Sequence, residues 1–168
     1  MTFKDDLQNL MGTPVSQSKY IYGSIFHLMF NVTAGDAELV CNGCQWVLLD
    51  AADSVRLHDE AALSSDVISG LLTGKRLRSV ESSPGSLSLH FDDVVLCGFA
   101  TEDYHLMLHD GVSLKSPEWL AETDAARDSF MLFRPDGPAA GYEFSGYFDL
   151  NSVPWGAHYL SAQEGIIG

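Results

Sequence analysis

The chain is short of positive charge. Nine Lys+Arg stand against 23 Asp+Glu in 168 residues, a formal net charge of −14 with a pI near 4.5. The cations are also unevenly spread. None occurs between Tyr20 and Val55, between Ser79 and Leu114, or after Arg134, and Lys75, Arg76 and Arg78 form the one basic cluster. Such a field repels DNA, RNA and anionic lipid and attracts basic surfaces. With no basic patch interleaved with aromatics, direct nucleic-acid binding is not expected. Long apolar runs are missing too. The longest, Val94–Ala100, is strand length, far below the roughly 18 residues of a membrane helix. The N-terminus "MTFKDDLQNL" has mixed charges and no apolar core of a signal peptide, which points to a cytoplasmic protein. Cysteine is scarce: three, an odd count, read as reduced thiols.

What the chain does have is a globular composition, 46% hydrophobic and 19% charged. Its length fits one domain on the prior of roughly 100–200 residues, so 1–168 is read as a single unit. Phe3–Met11 places Phe3, Leu7, Leu10 and Met11 on one helical face, with Gly12 to end the helix and Pro14 to forbid its continuation. Strands follow at Val15–Tyr22 and Ile25–Val32, joined by Gly23-Ser24. Ala37–Cys41 and Cys44–Asp50 are strand-like and meet at Asn42-Gly43, a strong hairpin signal, although one long bulged strand fits as well. Ala51–His58 reads as a connection, and Asp59–Thr73 as a helix ended by Gly74. Further strands are expected at Arg76–Glu81, Leu87–Phe91, Val94–Phe99 and Tyr104–His109, with turns at "SSPGS", Asp92-Asp93 and "TED".

The order helix, Gly, strand, Gly-Ser turn, strand, strand, strand therefore occurs twice. Gly12 aligns with Gly74, Val15 with Leu77, and Gly23-Ser24 with Gly85-Ser86; after a one-residue slip, Leu28 and Phe30 fall on Leu89 and Phe91. Trp46–Ala51 faces Leu106–Gly111. Either a duplication over 3–50 and 59–111 or convergent patterning accounts for the match. The expected fold class is α+β: mainly antiparallel sheet with two or three helices, built as a tandem helix plus β-meander unit if the repeat is genuine. A C-terminal extension, 112–168, carries a short helix at Pro117–Asp128, strands at Phe130–Phe133 and Tyr142–Phe148, and an irregular tail that docks through Trp155 and Tyr159.

No motif names a reaction. Cys41-Asn42-Gly43-Cys44 is a C-x-x-C, but no second pair completes four zinc ligands, so buried thiols are the simpler reading and no metal or cofactor is expected. His27 and His90 alternate with apolar neighbours, which points them away from a core. Cys97 with a histidine could form a nucleophilic pair, and Asp92-Asp93 could serve acid–base chemistry. That combination, with His90, is the basis for an alternative reading as a small metal- or cysteine-dependent enzyme. A third alternative is an oligomer-forming structural module that pairs through strand edges.

The acids at turns and strand ends carry the preferred reading. Asp36, Glu38, Asp50, Asp92, Asp93, Glu102, Asp103 and Asp110 could form one acidic rim, with Tyr20, Tyr22, Tyr104 and Trp46 as aromatic anchors. The helix-Gly lead-in, the "CQW" strand at Cys44–Trp46 and "GSLSLHFDD" followed by "TEDYHLMLHDG" resemble small bacterial proteins grouped with immunity proteins of polymorphic toxin systems. In that pattern a basic residue follows the tryptophan; here Val47 does. The resemblance implies a toxin-neutralising role. Taken with the charge, it leads to the expectation of a non-enzymatic acidic inhibitor or immunity protein that binds a basic partner, a toxin or nuclease-like enzyme.

Overall fold

A computed structural model describes residues 3–22, 25–42, 45–58, 70–101, 129–135, 140–144 and 146–160. Among the described residues a short helix, α1 (Phe3–Gln8), is followed by ten strands that build two five-stranded antiparallel sheets. The first sheet has the order β1 (Val15–Tyr22), β2 (Ile25–Val32), β3 (Gly35–Asn42), β9 (Ser129–Phe133), β10 (Ala140–Glu143). The second has the order β5 (Val55–His58), β4 (Gln45–Asp50), β8 (Val94–Phe99), β7 (Ser86–His90), β6 (Ser79–Ser83). The α+β, mainly antiparallel class expected from the sequence is the one observed.

Alternation places the core. Leu28 and Phe30 of β2, Leu39 and Cys41 of β3, and Phe130 and Leu132 of β9 all point to one face of the first sheet. Trp46 and Leu48 of β4, Leu87 and Leu89 of β7, and Leu96 of β8 point to one face of the second. Together with Phe3, Leu7 and Leu10 of the α1 region they form a single buried cluster between the sheets. The second sheet is covered on its other face as well. Val47, Leu49, Cys97 and Phe99 pack beneath Phe148, Leu150, Trp155 and Tyr159 of the C-terminal segment. Double coverage explains why "WVLLD" and "VVLCGF" are continuous apolar runs rather than alternating ones.

Each sheet is a three-strand meander completed by two further strands, distant in the chain for the first sheet and directly preceding the meander for the second. The meander β1-β2-β3 accepts β9 and β10, and the meander β6-β7-β8 accepts β4 and β5. The two systems meet at an isolated antiparallel bridge, Pro14 to Arg76, with reciprocal hydrogen bonds around it. Gly12 N–H donates to Leu77 O and Gly74 N–H donates to Val15 O, both at 2.8 Å; Val15 N–H donates to Lys75 O at 2.9 Å and Leu77 N–H to Thr13 O at 3.4 Å. Gly12 and Gly74 have φ of +80° and +86°, the left-handed region where a side chain would strain the turn. The pairs aligned in the sequence, Gly12 with Gly74 and Val15 with Leu77, thus sit in matching surroundings. Strand partners match too: Trp46 faces Gly98 and Leu48 faces Leu96, while Phe130 faces Cys41 and Leu132 faces Leu39.

Several local expectations need correction. The strands flanking Asn42-Gly43 form neither a hairpin nor one long strand, because β3 and β4 belong to different sheets; Gly43 itself lies outside the described residues. Inward-facing Cys41 and Trp46 both reach the shared core from opposite sides, which outweighs the local turn signal. Ala51–His58 contains a strand, β5, entered through a tight turn at Asp53 (φ 59°). The tail is not irregular throughout: a 3-10 turn at Leu150–Ser152 and a helical turn at 156–160 seat Trp155 and Tyr159, the docking residues expected. Helix α1 ends at Gln8, and a hydrogen-bonded turn carries Leu10 into the core. Most of the expected helix Asp59–Thr73, the strand Tyr104–His109 and the helix Pro117–Asp128 lie outside the described residues.

Candidate functional surface and cavity

The acids proposed from sequence divide between the sheets. Asp36 and Glu38 lie on β3, alternating with buried Ala37 and Leu39, and so face away from the core of the first sheet. Asp36 is exposed, whereas Glu38 is half-buried against the His27 ring on the neighbouring strand. Asp50, Asp92 and Asp93 gather at one end of the second sheet, since Asp50 pairs with Val94 directly after the Asp92-Asp93 turn. Glu102, Asp103, Tyr104 and Asp110 lie outside the described residues. The structure therefore brings three of the acids together and holds Asp36 and Glu38 in the other sheet.

The three clustered acids have structural work. One oxygen of Asp50, Oδ1, accepts from Ala52 N–H at 2.9 Å and Ser54 N–H at 3.0 Å, which closes the turn into β5. Asp92 accepts from Arg76 backbone N–H at 3.1 Å and from Arg78 Nε at 2.7 Å. Those bonds, the Arg76 N–H first, hold its carboxyl below the ordinary carboxylate value. Lys75 Nζ lies 2.7 Å from Asp93. Lys75 and Arg78 of the basic cluster are thus spent on the chain's own Asp-Asp turn, while the Arg76 guanidinium donates to Gly12 O at 2.9 Å. Of the aromatic anchors, Trp46 is fully buried in the core and cannot meet a partner.

The sulfur and imidazole candidates are equally constrained. Cys97 is 4% exposed and opposes Ser88 across the β7–β8 pair. Burial pushes its thiol up to about 11, against the opposing pull of a Ser88 hydrogen bond. A thiol that holds its proton so firmly is not a poised nucleophile. His90 is half-buried, with Nε2 3.7 Å from Glu81 on β6. Cys41 points into the core between the sheets, so it is not held at a surface knuckle; Cys44 lies outside the described residues. Among the described residues no three His, Cys, Asp or Glu side chains gather in a metal-binding group, and no helix is long and apolar enough to cross a membrane.

A feature that sequence reasoning missed lies at one end of the first sheet. Between α1, the β2–β3 turn and the end of β9 is a cavity of about 290 Å³. Leu10, Val32, Ala37 and Leu132 form its apolar wall; Asp6 and Arg134 are its charged groups, and the exposed Asn9 and Thr33 line it as well. Arg134 Nη1 donates to Asp6 Oδ1 at 3.0 Å; the Asp6 side chain is 2% exposed and that of Arg134 22%. A buried carboxylate needs such a partner, because its isolated charge would be strongly destabilising there. The two residues are 128 positions apart, and no periodicity links them. A second buried polar group, Gln45, ties the C-terminal segment down: its Nε2 donates to Tyr159 Oη at 3.1 Å, and its Oε1 accepts from Thr101 Oγ1 at 2.8 Å. Compared with family models, curated proteins and solved structures, the chain matches none.

Proposed function

We propose that the protein is a non-enzymatic acidic inhibitor or immunity protein that docks onto a basic protein partner, such as a toxin or a nucleic-acid-processing enzyme. The observation that carries this reading is where the negative charge resides. Among the described residues Asp6 is the only buried Asp or Glu. Internal ion pairs, such as Lys75–Asp93, Arg78–Asp92 and Arg134–Asp6, cancel one acid per cation and leave the surplus of −14 intact. Among the described residues Asp5, Asp36, Asp53, Glu81, Asp93 and Asp149 are exposed, and negative charge there accelerates encounter with a cationic surface and disfavours nucleic acid. The buried, proton-holding thiol of Cys97 supports the non-enzymatic side of the reading. On the same reading the chain is one domain made from a helix and meander unit used twice.

The test is capture followed by reconstitution. The protein is used as bait at low and high salt, and any captured basic protein is then purified and titrated with it. The informative variant neutralises exposed acids that the fold does not depend on: Asp36→Asn, Asp53→Asn and Glu81→Gln together. One stoichiometric basic partner, lost at high salt and weakened at least about tenfold by that variant, is expected from charge-steered docking. A partner that binds the variant as tightly as the native protein, at any salt, removes the charge argument.

A further inference from the structure

We infer that the cavity between α1, the β2–β3 turn and the end of β9 is a binding site for a small ligand that ends in a neutral carboxamide on a short aliphatic body. At about 290 Å³ it lies near the lower end of the range of small-molecule pockets. Its charged groups are one carboxylate beside one guanidinium, with the neutral, exposed Asn9 and Thr33 also in the lining, so the site sets an acceptor next to a donor with no net charge. Arg134 reaches Asp6 through Oδ1. The second carboxylate oxygen, Oδ2, has no hydrogen bond among the described residues, and Asp6 lines the cavity. A carboxamide presents an N–H to that oxygen and a carbonyl to the guanidinium side, while Leu10, Val32, Ala37 and Leu132 enclose an aliphatic group. A carboxylate ligand would meet the Asp6 charge, and an ammonium would meet that of Arg134.

The corresponding positions elsewhere in the chain do not carry the same acid–base pair. Leu132 pairs with Leu39 in the first sheet as Leu48 pairs with Leu96 in the second, so Leu132 corresponds in position to Leu48 and Arg134 to Asp50. Asp50 spends its carboxylate on its own turn. The offset that takes Gly12 to Gly74 takes Asp6 to Ile68. The acid–base pair therefore belongs to one side only, although the backbone at the centre is reciprocal.

The experiment uses three probes of nearly one shape, isovaleramide, isovalerate and isopentylamine, with the full chain in ligand-observed saturation-transfer NMR. Isovaleramide is expected to bind with a dissociation constant on the order of 1 mM, at least about tenfold tighter than either charged probe. Ala34, exposed and lining the cavity, supplies a blocking variant that leaves the core alone: Ala34→Leu abolishes the signal while the circular dichroism spectrum is unchanged. Arg134→Gln leaves the Asp6 charge uncompensated and shifts the preference to isopentylamine. If that variant does not fold, the preference among probes and the Ala34→Leu result decide. Absence of binding by all three probes, equal binding of all three, or binding that survives Ala34→Leu overturns the inference.

Discussion

Gly85 is where the β6–β7 turn locks the C-terminal segment onto the second sheet, and its replacement by alanine tests that lock. Its φ is +75°, so any side chain incurs about 1–2 kcal/mol of backbone strain. A Cβ there would stand 2.2 Å from Phe148 N, 2.3 Å from Tyr147 C and 2.7 Å from Tyr147 Cα. All three are backbone atoms, and no rotamer change relieves the overlap. Either the turn or residues 147–148 must move. Movement breaks a short relay: Ala100 N–H donates to Gly85 O at 2.9 Å, and Phe148 N–H donates to Ala100 O at 2.8 Å. Each bond contributes about 0.5–1.5 kcal/mol. Strain and lost bonds together predict a destabilisation of roughly 2–5 kcal/mol for Gly85→Ala. Beyond the relay, Phe148 stacks on Trp155, and both pack on Phe99. A displaced segment therefore exposes Trp155, and urea unfolding followed by tryptophan fluorescence and far-UV circular dichroism reads both effects. Gly70→Ala is the control: among the described residues no atom outside its own helix backbone and chain neighbours lies within 4 Å of its Cβ position, and alanine in a helical turn favours folding by about 0.5–1 kcal/mol. A Gly85→Ala loss below about 1 kcal/mol would refute the idea that these backbones are locked, since strain alone should exceed it.

Two further outcomes follow from titrating groups. Asp92→Asn removes the partner of Arg78 and the Arg76 N–H; because the native carboxyl titrates below its ordinary 3.8, its contribution is complete above about pH 4 and disappears as pH falls through the lowered value. The stability gap between native and Asp92→Asn protein, measured by urea unfolding, should be full at pH 6 and close at strongly acid pH; a gap that widens on acidification contradicts the sign. Cys97 holds its proton to about 11 in the fold against an ordinary 9.0, so the unfolded chain ionises first and stability declines by roughly 2–3 kcal/mol as pH rises from about 9 to 11. Peptide mapping after iodoacetamide treatment at pH 8 should find Cys97 unmodified until denaturant is added, and rapid labelling of the folded protein would show the thiol to be accessible.

Legibility in the sequence followed the range of the forces involved. Strands β1, β2 and β8 match their expected bounds residue for residue, because period-two alternation or a short apolar run bounded by turn residues is a local signal. Strand β5 was hidden: only four residues long, "VRLH" has too few positions to show a period, and Asp53 disguises its entry as a loop. The Asn42-Gly43 expectation failed because a turn propensity of fractions of a kcal/mol competes with burial of Trp46 and Leu48, each contributing about 1.5–3 kcal/mol. Pro154 and Gly156 suggested an unstructured tail, yet Pro154 sits just ahead of the turn at 156–160, where a missing N–H is harmless. The acids were visible, but their occupations were not; whether Asp92 greets a partner or Arg78 depends on a turn geometry that composition does not encode. Asp6 and Arg134 left no trace at all, because their meeting is created by β9 crossing to the first sheet.

That crossing has a consequence for how the chain is made. The second sheet is built from one stretch of polypeptide, 45–99, but the first is not, so on the ribosome β3 waits with an open edge until Ser129–Phe133 has emerged. Pairing at such sequence distance is slow to form, and a waiting edge accepts any strand that fits. Two nascent copies held close together could each donate β9 and β10 to the other's meander, yielding an interlaced pair from the very same contacts. Dilution during refolding should therefore favour the monomer, and crowded synthesis the exchanged form.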